Sequence, residues 1–302
     1  MDRPVGPILT SRRVIAGAFG VVRTRPVAVA IWALIYTAAL AGFSFATRAG
    51  LRVQPRGAAD PAALAASGMN LLVSLVFLVL YMALLTAAMR SVLKPSQGGI
   101  AFLSFGGAEL RQIGLTLFYL ILFYVGLIIL GIMVAVFAVL VMNVAGPGAP
   151  TIVAGAIGVA ALVALLSWLA VRLSLSFPLT LLRGRITISE SWRLTRGRFW
   201  TLFRAYLLLY LLLLVLTLGV AAVTLGDYLA AIARDGFTLQ SLQAAAEVQL
   251  ARQLGPIDMM IVIGWLLGGF AAALGIALNG GALATAALAL ADTRAEMAET
   301  FA

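Results

Sequence analysis

Six stretches of this chain stay apolar long enough to cross a bilayer as helices. A hydrocarbon core of ~30 Å needs roughly 20 helical residues. Residues 27–47, 69–89, 113–142, 151–178, 202–225 and 259–290 meet that length. Lipid offers backbone amides and carbonyls no water to bond, so a spanning segment must satisfy them itself, as a helix does. The predicted class is an all-α polytopic membrane protein with about six transmembrane helices, and residues 1–302 read as a single integral membrane domain. The third, fourth and sixth stretches exceed the minimum and should tilt, kink or protrude. Pro178 in "SLSFPLT" should kink or end the fourth. "NVAGPGAPT", Asn143 to Thr151, should turn the chain between the third and fourth. The first run follows an arginine-bearing lead and is longer than a signal core, so it is expected to be retained as a span.

Composition enters through what it excludes. Charged residues make up 11% of the chain, against about 25% in soluble domains. There is no cysteine and no histidine, which rules out disulfides, thiolate and histidine catalysis, and zinc sites built on those ligands. The eleven acids are scattered, and no two carboxylates share a helix face at catalytic spacing. The glycine runs "GGFAAA" and "GGALATAA" lack the strand-turn-helix context of a phosphate loop. The expectation is a non-enzymatic protein with no catalytic residue, no cofactor and no metal. The net charge is +10. The basic residues flank the apolar runs, so anionic lipid headgroups, not nucleic acid, are the expected partners.

The distribution of those charges sets an expected orientation. With the N-terminus inside, the inner segments carry sixteen Lys and Arg residues; the outer ones carry five, Arg48, Arg52, Arg56, Arg234 and Arg252. That bias places both termini in the cytoplasm. Arginine far outnumbers lysine and alanine is abundant, which points to a GC-rich bacterial genome and an inner-membrane location. In the outer segment 226–258, Leu239, Leu242, Ala246 and Leu250 fall on one face of a short surface helix, and Gly255–Pro256 stops it.

Arginine and tryptophan crowd into "SESWRLTRGRFW", Ser189 to Trp200. "TISE", Thr187 to Glu190, has the spacing of a capping box, and Gly197 can end the helix. Ile188, Trp192, Thr195 and Phe199 form one stripe; Glu190 and Arg193 lie opposite, spaced to pair. An aromatic face backed by arginines describes a helix lying in the membrane plane on the cytoplasmic side. "TSRRVIAGAFGVVRTRP" repeats the device: Thr10 or Ser11 caps, Val14, Ile15, Ala18, Phe19, Val21 and Val22 share a face, and Pro26 opens the first span. "IAFLSFGGAELRQIG", Ile100 to Gly114, is a third such segment. "LTLFYLILFY" (Leu115 to Tyr124) and "WTLFRAYLLLY" (Trp200 to Tyr210) both set Thr-Leu-Phe at the mouth of a span. Three units follow, each an interfacial helix with a helical hairpin: 10–89, 98–182 and 187–292.

The stretch "RLSLSFPLTLLRGRITISESWRLTRGRFWTLF", Arg172 to Phe203, resembles a bacterial inner-membrane family: the membrane domain fused to some glycerophosphoryl diester phosphodiesterases, with related six-span proteins of uncharacterised function. "GAELR", Gly107 to Arg111, is similar to that family's second short motif. The resemblance covers roughly half the chain and implies a helical membrane domain. It does not carry phosphodiesterase activity, because the fused enzymes keep their histidines and metal-binding carboxylates in a separate soluble barrel.

The candidate contacts for a lipid headgroup or partner protein are Arg172, Arg193, Arg196, Arg198, Trp192 and Trp200. Arg172 is the most informative, because an arginine within a span costs ~2.5–3.5 kcal/mol at the bilayer centre. It reads as an anchor or a buried partner of Glu190 or Glu109, or as a contact for a lipid phosphate or anionic substrate. Glu109, Arg111 and Glu190 are expected to form structural ion pairs, Glu109 and Glu190 being the acids of the inner loops. Asn279 with Gly280 and Gly281 marks close helix packing or a polar cavity lining. The expected function is membrane organisation or lipid handling through this arginine–tryptophan belt. A transporter or permease component for a hydrophobic or amphipathic solute is the second reading, and a scaffold binding a partner membrane protein the third.

Overall fold

The computed structural model describes residues 9–51, 61–96, 99–104, 106–146, 148–236 and 238–300. Arg3, Arg52, Arg56 and most of the first outer loop lie outside the described residues, as do the side chains of Leu250 and Arg294. The described residues form helices and no strands: α1 (Ser11–Thr24), α2 (Pro26–Leu51), α3 (Pro61–Leu93), α4 (Gly107–Ala145), α5 (Ala149–Leu173), α6 (Ser176–Arg183), α7 (Ile188–Leu194), α8 (Phe199–Thr224), α9 (Gly226–Asp235), α10 (Leu239–Leu254) and α11 (Met259–Thr300). A 3-10 turn covers Ile100–Phe102. Six helical stretches are long and apolar enough to cross a membrane. This is an all-α polytopic membrane protein.

Two compact units divide the chain. The first comprises residues 1–14, 105–204 and 283–302. Its longest elements, α4 and α5, pack as a hairpin. Their close approach needs Gly158, where an added Cβ would lie 2.7 Å from Val134 Cγ1. The turn joining them has Gly146 at φ +76°, and its carbonyl accepts from the Thr151 hydroxyl. Most side chains on α4 are exposed apolar groups, including Phe118, Ile121, Ile128 and Phe137, as lipid-facing positions should be. α4 departs from expectation. A separate interfacial helix over Ile100–Gly114 does not form, since α4 starts at Gly107 and continues into the span for 39 residues. Beyond Gly106, nothing before the span stops a helix; Gly114 weakens it without breaking it.

The second unit comprises residues 15–104 and 205–282. α1 is a separate helix that buries Val14, Ala18 and Val21 while Arg12 and Arg23 stay exposed. Only Arg25 separates it from α2, which Pro26 opens, its missing N–H costing nothing at a first turn. The 3-10 turn is strained: Ala101 and Phe102 have φ of +53° and +60°, unusual for residues with a Cβ. Three neighbours hold it. Trp32 Nε1 donates to Ala101 O at 3.0 Å, Arg90 Nη1 donates to Phe102 O at 2.7 Å, and the Arg25 guanidinium stands 5.1 Å from the Phe102 ring centre. The outer segment holds two helices, α9 and α10, packed on each other. Thr238 caps α10 through a reciprocal bond with Ser241. α10 buries Ser241 and Ala245, while Leu239 and Leu242, on the apolar face of the expected surface helix, are exposed.

Glycine sets the packing of α11 in this unit. An added Cβ at Gly280 would lie 2.5 Å from Ala88 Cβ; at Gly281 it would lie 2.8 Å from Gly17 O. At Gly269 it would lie 2.0 Å from Thr37 Oγ1 and 2.8 Å from Thr37 N. Small residues here give backbone approach that larger ones forbid. Gly269→Ala and Gly280→Ala should each lower the melting temperature in detergent, at a cost of about 1–3 kcal/mol. Gly20→Ala, with nothing within 4 Å of the new Cβ, should leave it unchanged or raise it. Equal melting of all three variants would show that these contacts do not set the packing.

Candidate functional site: an arginine and two tryptophans at a broken span

The fourth span is broken. α5 ends at Leu173 and α6 begins at Ser176. Pro178, in the first turn of α6, has no N–H to offer Ser174 O, and its ring crowds that carbonyl. The break therefore falls at the residues four before the proline. The last carbonyls of α5 have no helical partner, and in lipid such groups must find another. Hydroxyls supply them. Ser174 Oγ donates to Val171 O at 2.8 Å, and Ser176 Oγ donates to Leu173 O. Arg172 O accepts from Ser191 Oγ at 2.9 Å and from Thr195 Oγ1 at 3.3 Å. From α4, Gln112 Nε2 donates to Phe177 O and the Tyr119 hydroxyl to Ser176 Oγ, each at 2.7 Å.

These bonds dock α7, and through its polar side. Thr187, Ser191 and Thr195, spaced by four, are buried together with Glu190. Of the predicted stripe, Trp192 is exposed, Ile188 and Phe199 are half-buried and Thr195 is buried. The helix begins where expected, but its capping box does not form: Thr187 makes no side-chain cap bond. Glu190 instead pairs with Arg183 at 2.5 Å, and not with Arg193. A charge-assisted bond to a guanidinium outcompetes a neutral backbone amide.

The docked helix brings Trp192 to Arg172. The guanidinium carbon stands 5.5 Å from the Trp192 ring centre and 5.4 Å from that of Trp168, one turn back on α5. The two rings meet edge to face, 5.2 Å apart at 90°. Nε and Nη1 of Arg172 are buried without a hydrogen-bond partner among the described residues. The cation is held by π faces, worth about 0.5–2 kcal/mol, and has no ion pair among the described residues, so the expected pairing with Glu190 or Glu109 is not formed.

The other predicted residues scatter around this centre. Arg193 and Arg196 are exposed and Arg198 is half-buried. Trp200 is 65% exposed and packs on Phe199 and Phe203, with no ring contact to Trp192. Glu109 is buried and accepts from the Gly106 amide at 3.1 Å, closing the first turn of α4. Arg111 enters no ion pair among the described residues; two positions apart on a helix, it and Glu109 point to different sides. Asn279 is half-buried between Leu278 and the close-packed Gly280.

Two arginines escaped the sequence reading. Arg48 and Arg252 line one cavity of about 390 Å³ in the second unit. The charge count registers them only as outer-side residues; the signal was their location on the arginine-poor side of the spans.

The fold and these sites define a multi-pass α-helical membrane protein with arginines held at its span ends. Compared with known protein families, curated proteins and solved structures, the chain matches none of them.

Replacing Ser191 with Ala and Thr195 with Val together leaves Arg172 O without a side-chain donor. The pair should cost about 1–3 kcal/mol, read as a lower melting temperature in detergent. Trp192 fluorescence should shift as α7 loosens. A double variant with both quantities unchanged would show that the hydroxyls do not hold α7.

Proposed function

We propose that this protein is a non-enzymatic lipid-handling or membrane-organising protein of a bacterial inner membrane, which contacts anionic headgroups along the α6–α8 junction. One observation carries this reading. Between Arg172 and Arg204 the sequence holds seven arginines and one acid, Glu190, which is buried and paired with Arg183. Arg185, Arg193, Arg196 and Arg204 are exposed, beside the exposed rings of Trp192 and Trp200. Basic and aromatic side chains presented together at a span mouth match the chemistry of an anionic membrane surface.

Under this reading both termini are cytoplasmic. The chain has no native cysteine, so Arg196→Cys gives a single label site. A membrane-impermeant maleimide should modify it in inverted vesicles and spare it in right-side-out cells. The reverse pattern would overturn the orientation.

Lipids co-purifying with the wild type should be enriched in anionic species. The variant carrying Arg193→Gln, Arg196→Gln and Arg198→Gln should lose most of that enrichment, several-fold by mass spectrometry, while melting normally. An unchanged lipid profile would refute the proposal. The permease reading draws on the broken α5–α6 span, since discontinuous helices build solute sites in transporters. Here hydroxyls of the chain itself already occupy the carbonyls at the break, which places it second.

A further inference from the structure

Arg172 has a definite depth. It is the penultimate residue of α5, a helix of 25 residues that starts at Ala149, so about 34 Å of helix precedes it. A hydrocarbon core is ~30 Å thick. Where α5 crosses that core, its Arg172 reaches the level of the lipid phosphates. The charge there is fixed but not cancelled. Among the described residues the guanidinium meets the Trp168 and Trp192 rings and no carboxylate. Ring faces hold a cation without discharging it. Nε and Nη1 are buried without a hydrogen-bond partner; Nη2 is not among the enclosed atoms and is the nitrogen left to meet a ligand.

An apolar groove lies on the adjoining face of the same helix. Leu166, Leu169 and Leu173 of α5 and Leu122 and Phe123 of α4 line a cavity of about 240 Å³. Two hydroxyl-bearing residues also line it, and both hydroxyls are engaged: Tyr119 donates to Ser176 Oγ and Ser174 Oγ donates to Val171 O. A groove with no polar group to spare suits hydrocarbon and disfavours a polar solute. Leu169 is three residues before Arg172 and so its surface neighbour. Leu166 lies about 9 Å from Arg172 along the axis, toward the core. Cation and groove thus follow each other in the order of a lipid's phosphate and acyl chain. A planar guanidinium suits a phosphate in particular.

We propose that Arg172 and this groove bind one anionic glycerophospholipid per chain, its phosphate on the guanidinium and one acyl chain between α4 and α5. The proposal rests on the headgroup contact inferred for the α6–α8 junction and deepens it, giving one arginine a fixed, stoichiometric ligand. A zwitterionic lipid brings its own ammonium and leaves the net charge of the site unchanged. A soluble phosphate leaves the groove empty.

The delipidated full chain in neutral detergent is titrated with dioleoyl phosphatidylglycerol and followed by native mass spectrometry. One adduct per chain should saturate first. Arg172→Gln should weaken that adduct tenfold or more, and Arg172→Lys, which keeps the charge and loses the planar group, should weaken it less. Dioleoyl phosphatidylcholine and dihexanoyl phosphatidylglycerol should each bind at least tenfold more weakly. Inorganic phosphate at millimolar concentration should not displace the adduct.

Undiminished binding by Arg172→Gln would overturn the role of the arginine. Equal binding of phosphatidylcholine would overturn the demand for net charge. Equal binding of the dihexanoyl lipid, or displacement by phosphate, would overturn the groove. Should Arg172→Gln not fold, Ala170→Phe narrows the groove while keeping the cation; it should abolish the first adduct, and retention of that adduct would refute the site. The variant carrying Arg193→Gln, Arg196→Gln and Arg198→Gln separates the two readings. It should keep the first adduct and lose the general enrichment. Loss of the adduct there, with Arg172→Gln unaffected, would place the lipid on the exposed arginines and overturn this site alone. Unchanged enrichment there, with the adduct lost in Arg172→Gln, would refute the broader contact and support this site.

Discussion

A carbonyl stranded in hydrocarbon is the constraint around which the first unit is arranged. Pro178 breaks the fourth span and leaves the last turn of α5 short of donors. Each unsatisfied group would cost several kcal/mol in lipid. The answer is a cluster of serine and threonine hydroxyls, two of them carried by the segment around α7. Because the bonding groups of α7 are Ser191 and Thr195, that side must face inward. Trp192 is then set beside Arg172, and Arg193 and Arg196 are turned outward. The arginine–tryptophan display thus follows from hydrogen-bond satisfaction by neighbouring hydroxyls of the same short helix.

That ordering explains which parts of the structure were legible. A run of 20 or more apolar residues has one physical outcome in lipid, so the six spans could be read, with every end within about five residues except the start of the third, which lies at Ile100 and not at 113. Pro26 and Pro178 acted through the backbone and could be placed too. Helix faces were harder. Pattern arguments assume that the apolar side is the covered side. Next to lipid the apolar side is as readily the free one, and α7 buries threonine and serine while it exposes tryptophan. α10 shows the same arrangement, with Ser241 and Ala245 inside and Leu239 outside. The assumed break before the third span failed for another reason: "GGAELRQIG" is polar enough to resemble an interfacial segment, yet beyond Gly106 it contains no residue that stops a helix.

The arginines were legible as a group and not individually. A topology count treats each as one positive charge. The structure separates them by what meets the guanidinium: a backbone carbonyl for Arg90 and Arg48, two indole rings for Arg172, a carboxylate for Arg183. None of these partners is adjacent in sequence in a way that spacing alone would reveal. Arg90 reaches twelve residues ahead to Phe102 O, where a positive-φ turn presents the carbonyl. Arg48 reaches across 207 residues to Gly255. Trp168 was the exception, four residues before Arg172 on one helix face.

Those partners differ in what they leave behind. A carboxylate satisfies the donors of a guanidinium and cancels its charge. A carbonyl or an indole face satisfies or shields the donors and leaves the charge in place. With 21 basic residues against eleven acids, the chain cannot neutralise itself by pairing. It can fix its arginines rigidly with carbonyls and rings, at span ends where the surrounding dielectric is intermediate. A rigid and uncancelled cation has already lost the side-chain entropy that binding would otherwise cost. It is therefore a better receptor for an external anion than a mobile surface lysine. Arginine suits this arrangement because its planar group accepts a ring on its face while keeping N–H donors at its edge. The near absence of lysine, a single residue at position 94, follows the same logic: an ammonium held by a carbonyl or a ring would have fewer donors left to present.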